Sequence, residues 1–553
     1  MIQTFRKTIG VLTKEEKRKF YLLAFFSLFI SIADIVSLAL LVVIVGFYTG
    51  HALPSFFSVL PLWLVNKESF ALILLLLFVF LLKNLAGYLH VKTQNNFVYN
   101  VASRLADNNL FNYLDGSYTD YVYADSAIHV RRIGQLPIEF CHHVLSNFQQ
   151  VITESILVVL TIIAILIFNT QLFILLFVFL LPPVFLLGYF IKKKLKDARF
   201  NIKTNGEITL QYLHEALSSY VESNIHNRKQ FFVNRYSTYR QKLNKHLTEI
   251  QIVQGTSSRI VEVFAILGFF ILITINITSG SKNGVEIVTI GAFMAAAYKI
   301  IPGIVKLLNL SGQIKAYEFA IPEISLISEA IKKPVTNTQL RDIRFEKVVF
   351  HYEGRTILRE LSFTITSGDI VGIKGDSGIG KTTALNLLLG FLPIGKGSIY
   401  FNGQPVAESE RKQFWNRITY VKQQPFLMHN TVLANITLSE NGYDAGKVDY
   451  AINASGLQPF INKFPEGLQK EINESGKNIS GGQQQRINIA RALYKEADLI
   501  ILDEPFNELD PDSEKQILEH CQQLAQAGKM IILISHNAHS LTVCNKMINL
   551  HAS

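Results

Sequence analysis

With 553 residues, 49% of them apolar and only 17% charged, the chain exceeds one ordinary domain and is too apolar for a typical soluble protein. Its mean hydropathy of +0.25 and formal net charge of +10 point to membrane spans flanked by Lys and Arg, which accounts for the charge without nucleic-acid binding. Cys141, Cys521 and Cys544 are too few and too scattered for a disulfide framework or a zinc site.

The chain opens with Arg6, Lys7, Lys14, Lys17, Arg18 and Lys19, then an apolar run from Phe20 to about Phe47. That run is too long for a signal-peptide core and reads as a first span with its basic side in the cytoplasm. Five more apolar runs follow: Phe70 to Leu89, Val151 to Phe168, Leu172 to Ile191, Ile260 to Ile277 and Val285 to Leu310. Six spans return the chain to the cytoplasm. The outer loops hold chiefly Lys67 and Lys282, whereas Lys192, Lys193, Lys194 and Lys196 follow the fourth span directly, as cytoplasmic excess requires. Both termini are therefore expected in the cytoplasm, and a bacterial inner membrane is the expected location.

Two cytoplasmic segments, Tyr88 to Ser146 and Lys192 to Arg259, are long and helical in pattern. They predict helices that continue past the bilayer and reverse near Tyr118 to Ala127 and near Tyr212 to Ser223. The alternative is a solvated hairpin, which would leave many apolar residues exposed. Between the first two spans, Ala52 to Val65 is apolar, proline-broken and too short to cross. It reads either as an interfacial helix with Trp63 at headgroup level or as a loop tucked against the spans.

Charge inside hydrocarbon is costly and marks function by default. Lys83, Arg259 and Lys299 lie on the second, fifth and sixth spans. By helical rise, Lys83 and Lys299 are about 20 Å and Arg259 about 28 Å in from the outer ends. Facing one cavity, the three would make an anion site suited to a phosphate or pyrophosphate headgroup. The alternatives are pairing with Asp34, Glu154 or Glu262, or snorkelling to the interface. Pro182, Pro183 and Pro302 are expected to kink their spans.

A polar linker, Ile331 to Asp342, ends the span-bearing region, and short β-branched runs alternating with helices follow. The predicted fold is thus multi-domain. An all-α six-helix transmembrane domain covers 1–330, a linker 331–342, and an α/β domain 343–553. Gly375-Asp376-Ser377-Gly378-Ile379-Gly380-Lys381-Thr382 sits between an apolar strand (Ile370 to Ile373) and a run, Ala384 to Leu389, that reads as the first turns of a helix. That context makes this an α/β P-loop ATPase domain, with Thr383 also among its ATP-binding candidates. The loop's glycines let backbone N–H groups close on phosphates at a helix N-terminus. Lys381 would reach the β- and γ-phosphates of ATP and Thr382 would hold Mg²⁺. The bland reading is a Gly-rich turn.

Other segments extend this chemistry. Tyr352 stands where an aromatic could stack on adenine. Gln423, between a strand and a Pro-containing loop, could reach Mg²⁺ or the attacking water. Ser480-Gly481-Gly482-Gln483 opens a helix and forms a second anion site. Because the P-loop already cradles phosphate, this second site suggests a head-to-tail dimer with ATP between two copies. Leu499 to Leu502 is an apolar strand ending in Asp503 and Glu504, a Mg²⁺ ligand and a general base. Asp510 would close the following loop at the dimer interface, and His536 after another apolar strand could contact the γ-phosphate.

Together Tyr352, Gly375 to Thr382, Gln423, Ser480 to Gln483, Asp503-Glu504, Asp510 and His536 resemble the ATP-binding cassette (ABC) superfamily over about residues 343 to 550. With six preceding spans, the chain resembles a half-transporter of the type IV exporter class. That resemblance implies a homodimer whose intracellular helices swap to the opposite cassette, with coupling helices near Tyr118 and Tyr212. Within the class, the outer segment and the three cations resemble lipid-linked oligosaccharide flippases. The function implied is ATP-driven export or flipping of an amphipathic, anionic lipid-linked substrate, with no nucleic-acid partner. A multidrug, peptide or simple lipid exporter is the rival within transport, and an ATP-gated channel or sensor the rival outside it. The chain departs from the family pattern at Ile479, at Pro505 and at Asn507-Glu508-Leu509-Asp510, where Ser-Ala-Leu-Asp is usual. It also stops at Ser553 without the usual C-terminal extension.

Overall fold

The computed structural model describes residues 1–48, 70–116, 118–123, 125–168, 186, 189, 201–278, 287–325, 338–352, 354–376 and 378–550. The fourth apolar run with Pro182 and Pro183, the segment around Trp63, Lys67, the basic run at 192–196, Lys282 and Ser377 lie outside these residues. By contact the chain divides into two units: Met1–Gly116 with Asp120–Ala330, and Ser117–Thr119 with Ile331–Ser553.

The first unit is helical. A short helix, Ile2–Val11, precedes a long one, Lys14–Tyr48. Thr13 and Glu16 open the long helix by exchanging side-chain-to-backbone hydrogen bonds of 2.9 and 3.3 Å, which satisfies two otherwise orphaned N–H groups. Glu16 also takes a two-pronged bond from Arg104 at 2.7 and 2.8 Å, on the helix Ala71–Leu114. The Ala71–Leu114 helix is apolar all round in its first half, and Leu74 and Leu81 are 64% and 61% exposed, which a lipid environment explains and water does not.

A helical run from Ser126 to Phe168 contains two wider turns, in which Leu136 N–H bonds Arg131 O and Ser146 N–H bonds Cys141 O. Pro137, which lacks an N–H, follows the first of these turns. Inside this unit Arg131 is buried between Glu139 (3.2 Å) and Glu207 (2.9 Å), with Phe319 beneath its guanidinium. The helices Lys229–Thr278 and Ile287–Tyr317 complete the described part, the latter holding Pro302 in its interior.

The first predicted reversal agrees with the structure: Ala71–Leu114 ends, a short helix Tyr118–Tyr123 follows, and the next helix starts at Ser126. The second starts within the expected range, with a break at Ser219, and extends a few residues beyond it. Residues 201–218 and Tyr220–Ile225 are helical, and the chain turns at 226–228, where Asn227 takes φ 51°. Asparagine tolerates this left-handed conformation, whereas the residues before it are ordinary helix formers.

The second unit is α/β. Strands β1 (Asp342–Tyr352), β2 (Arg355–Thr366), β4 (Lys396–Phe401) and β5 (Gln404–Pro405) form an antiparallel sheet in the order β2-β1-β4-β5. Strands β3 (Ile370–Lys374), β6 (Ile418–Val421), β9 (Leu499–Asp503), β10 (Met530–Ile534) and β11 (Lys546–Asn549) form a parallel sheet in the order β11-β3-β10-β9-β6. A small pair joins β7 (Asn430–Thr431) to β8 (Glu471–Ile472). Every residue of β9 and β10 is buried, which is why those strands read as unbroken apolar runs. The parallel register aligns the C-terminal ends of β3, β9 and β10, where such sheets bind ligands. Within this unit Tyr118 stacks on Phe391, ring centroids 4.7 Å apart and planes 22° apart.

Candidate functional site: a phosphate cleft at the ends of the parallel strands

Strand β3 runs into the Gly375–Gly380 loop, and the helix Lys381–Leu388 leaves it. Gly378 and Gly380 take φ 81° and 107°, conformations a side chain would strain. Gly380 is also hemmed in, since a Cβ there would sit 2.9 Å from Ile357 Cγ2. Asp376 accepts from Ile379 N–H at 3.4 Å through its carbonyl, which closes the loop. Lys381, though 8% exposed, donates to Gly375 O at 3.0 Å and lies 2.9 Å from His536 Nε2.

Tyr352, Gly378, Gly380, Lys381, Thr382, Thr383, Gln423, Asp503, Glu504 and His536 line one cleft of about 680 Å³. Residues more than a hundred positions apart in the chain thus meet, as phosphate chemistry needs. Two acids end β9. Asp503 is buried and accepts from Tyr420 Oη at 2.9 Å. Burial pushes its carboxyl above the usual range, and the neighbouring Glu504 adds to this, against the Tyr420 hydrogen bond and Lys381. Glu504 follows at φ 48°, with its N–H on Ile534 O at 2.9 Å. Its Oε2 accepts from Gln423 Nε2 (2.7 Å) and Asn507 Nδ2 (2.9 Å), and its Oε1 lies 3.0 Å from His536 Nε2. One imidazole nitrogen therefore faces both Lys381 and Glu504. As the Nδ1–H tautomer it accepts from the lysine, and as the Nε2–H tautomer it donates to the glutamate.

The residues fit a magnesium ion. Thr382 hydroxyl, Gln423 amide oxygen and Asp503 carboxylate are hard oxygen donors among the residues lining this cleft, and the Gln423 amide nitrogen is engaged by Glu504, which leaves its oxygen as the donor atom for a metal.

Ser480–Gln483 lies elsewhere. Ser480 caps the helix Gly481–Tyr494, its Oγ accepting from Gln483 N at 3.4 Å while Gln483 Oε1 accepts from Ser480 N at 3.0 Å. A Cβ at Gly481 would meet Glu508 Oε2 at 2.8 Å, and one at Gly482 would meet Glu508 O at 2.7 Å, so glycine is what lets the 507–510 loop pack there. Asp510 caps the helix Pro511–Gln526 and pairs with Arg486 at 2.9 Å. The Ser513 N–H and hydroxyl hold its carboxyl below the usual range. Among the described residues lining the Lys381 cleft, none comes from 480–483 or from Asp510.

Arg355, which the sequence did not flag, also lines the cleft, directly across the β1–β2 turn from Tyr352. The two-residue hairpin between them was the available signal. Of the three cations expected within spans, Lys83 bonds Asp34 at 2.8 Å and lies 4.8 Å from the Phe80 ring centroid. Arg259 is exposed on the helix Lys229–Thr278, and Lys299 is on Ile287–Tyr317 with its side chain outside the described residues.

Residues 358–507 match the ABC transporter family. The chain is 28% identical over 407 residues to an ATP-dependent lipid A-core flippase of Cupriavidus pinatubonensis, covering 70% of this chain and 68% of that one. It is 27% identical over 346 residues to the protein of the same name from Burkholderia pseudomallei, covering 61% and 58%. The fold superposes on a bacterial Atm1-family ABC exporter with ATP bound at a TM-score of 0.78 and 19% identity, over 97% of this chain and 93% of the other. Residues 358–507 thus form an ABC transporter domain, and with its apolar helical unit joined to this cassette the chain is similar over most of its length to membrane-embedded ABC exporters.

Proposed function

We propose that two copies of this chain form an ATP-driven flippase for an amphipathic, anionic, lipid-linked substrate in a bacterial inner membrane, with six spans per copy and both termini cytoplasmic. The observation that carries the ATP-driven part is the meeting of Lys381, Asp503, Glu504, Gln423 and His536 around one cleft. The substrate class is supported by relatives named for flipping lipid A-core and by cations at 83, 259 and 299.

ATP enters with its base against Tyr352 and its phosphates in the P-loop. Glu504 takes a proton from a water whose oxygen bonds the γ-phosphorus, while the bond to the β–γ bridging oxygen breaks and ADP leaves. Lys381, His536 and the N-terminus of the second copy's Gly481–Tyr494 helix stabilise the charge that develops. Mg²⁺ held by Thr382, Gln423 and Asp503 would neutralise charge on the β- and γ-phosphates. Closure of the two cassettes on ATP shifts the spans from inward to outward access, because ATP binds the closed state more tightly.

A second reading, a general exporter of apolar or amphipathic compounds, is favoured by the Lys83–Asp34 pair, since a lysine already neutralised has less charge to offer a headgroup. The test is the ATPase rate in lipid nanodiscs with and without a polyprenyl-pyrophosphate glycolipid, for wild type and K83A/R259A/K299A. The flippase reading expects the lipid to change the wild-type rate and the triple variant, with its rate taken per folded molecule, to keep its basal rate but lose the response. If neither protein responds to the lipid while amphipathic drugs stimulate both, the second reading replaces it.

A further inference from the structure

We propose that Asn507 is a positioning residue for ATP hydrolysis, its side-chain amide aiming the Glu504 carboxylate. This rests on Glu504 acting as the general base.

The Glu504 backbone sits at φ 48°, a conformation unfavourable for a glutamate that only its surroundings can hold. Its N–H is tied to Ile534 O, but the carboxylate hangs on rotatable bonds, and its partners among the described residues are side chains. Two amides, from Gln423 and Asn507, converge on Oε2 at 2.7 and 2.9 Å. With Oε2 so occupied, Oε1 is the oxygen turned toward His536 and the phosphate cleft. A general base works only when its reacting oxygen is within hydrogen-bond reach of the proton it takes.

The sequence marks position 507 as a departure from the family's serine, and the structure gives the departure a partner. An asparagine amide reaches one bond further from Cβ than a serine hydroxyl. Asn507 also begins the loop whose Glu508 packs on Gly481 and Gly482 and whose Asp510 pairs with Arg486. The aim of the base is thereby linked to the loop that borders the signature helix.

The experiment compares steady-state ATPase of full-length wild type, N507A, N507D, E504Q and E504Q/N507A in nanodiscs, with TNP-ATP binding and thermal unfolding on each. Asp is isosteric with Asn but offers the carboxylate no donor. A lost hydrogen bond to a charged group predicts kcat lower by about tenfold in N507A and N507D. KM for ATP, TNP-ATP affinity and melting temperature stay at wild-type values. In the E504Q background N507A leaves the residual single-turnover rate unchanged, because the group it acts through is gone. The proposal is overturned if both single variants keep wild-type kcat, or if the N507A loss recurs in full on top of E504Q. Wild-type turnover by E504Q would instead remove Glu504 as the base.

Discussion

Lysine 83 shows what hydrocarbon does to a charge. Placed on an apolar helix and 17% exposed, it meets Asp34 of the preceding helix at 2.8 Å. An ion pair taken out of water contributes little net stability, but removing one member leaves the other without its main compensation. K83A is therefore expected to destabilise the chain by about 3 kcal/mol, whereas K83M/D34N, which deletes both charges and keeps the volume, recovers most of that loss. Thermal unfolding in nanodiscs checks this, and equal melting of the two variants would show that the pair carries no such energy. The residues that meet in the Lys381 cleft were singled out from sequence because each type in that pattern suits one chemistry: glycine for positive φ, lysine for an anion, acids at a strand end. The partners of Lys83 and of Glu504 were not resolved. Asp34 was one of several acids available to Lys83, and Asn507 stood out only as an unusual residue until the fold put its amide on Glu504.

Secondary-structure elements were legible where one physical demand ruled the whole stretch. Strands β9 and β10 read correctly because burial on both faces forces continuous apolar residues. The second reversal begins inside the expected range, where Ser219 breaks the helix at φ −91° and ψ 25°, but runs on past Ser223 because Tyr220–Ile225 forms one more helical turn before Asn227 at φ 51°. The antiparallel sheet holds a less visible demand. Register shifts between Glu346 and Val349, where β1 pairs with β4, and Gly397 opposite them takes φ 85°. A Cβ at 397 would stand 2.3 Å from Lys347 O and 2.5 Å from Glu346 O, both backbone atoms that cannot move aside. Gly403, at φ 74°, has nothing within 4 Å of such a Cβ. G403A should cost about 1 kcal/mol, the left-handed penalty alone. G397A adds a backbone clash and should cost at least about 3 kcal/mol, since the bulge must be remade. Thermal unfolding of both variants separates the contributions, and equal losses would mean that the sheet relaxes around residue 397.

At the scale of the molecule, the cleft that holds Lys381, Asp503 and Glu504 is built without Ser480–Gln483 among its described lining residues, yet those residues form a second helix N-terminus fit for phosphate. Two separate half-sites in one chain are what a two-fold dimer uses, because each copy offers both halves to the other. This arrangement makes opposite predictions from a site completed within one chain. Consider mixed dimers isolated through two different affinity tags, with K381A disabling the cleft and G481D disabling the signature helix. If sites form between copies, placing K381A on one copy and G481D on the other leaves one intact pairing, whose ATP turnover rises above that of K381A homodimers. Placing both substitutions on one copy beside a wild-type partner spoils both pairings, and turnover falls to that K381A level. A site completed within each chain reverses the result: the doubly substituted copy leaves its wild-type partner active, and the separated substitutions abolish turnover. The sequence suggested the dimer from its surplus anion site, and this exchange of substitutions tests whether that surplus belongs to the neighbouring copy.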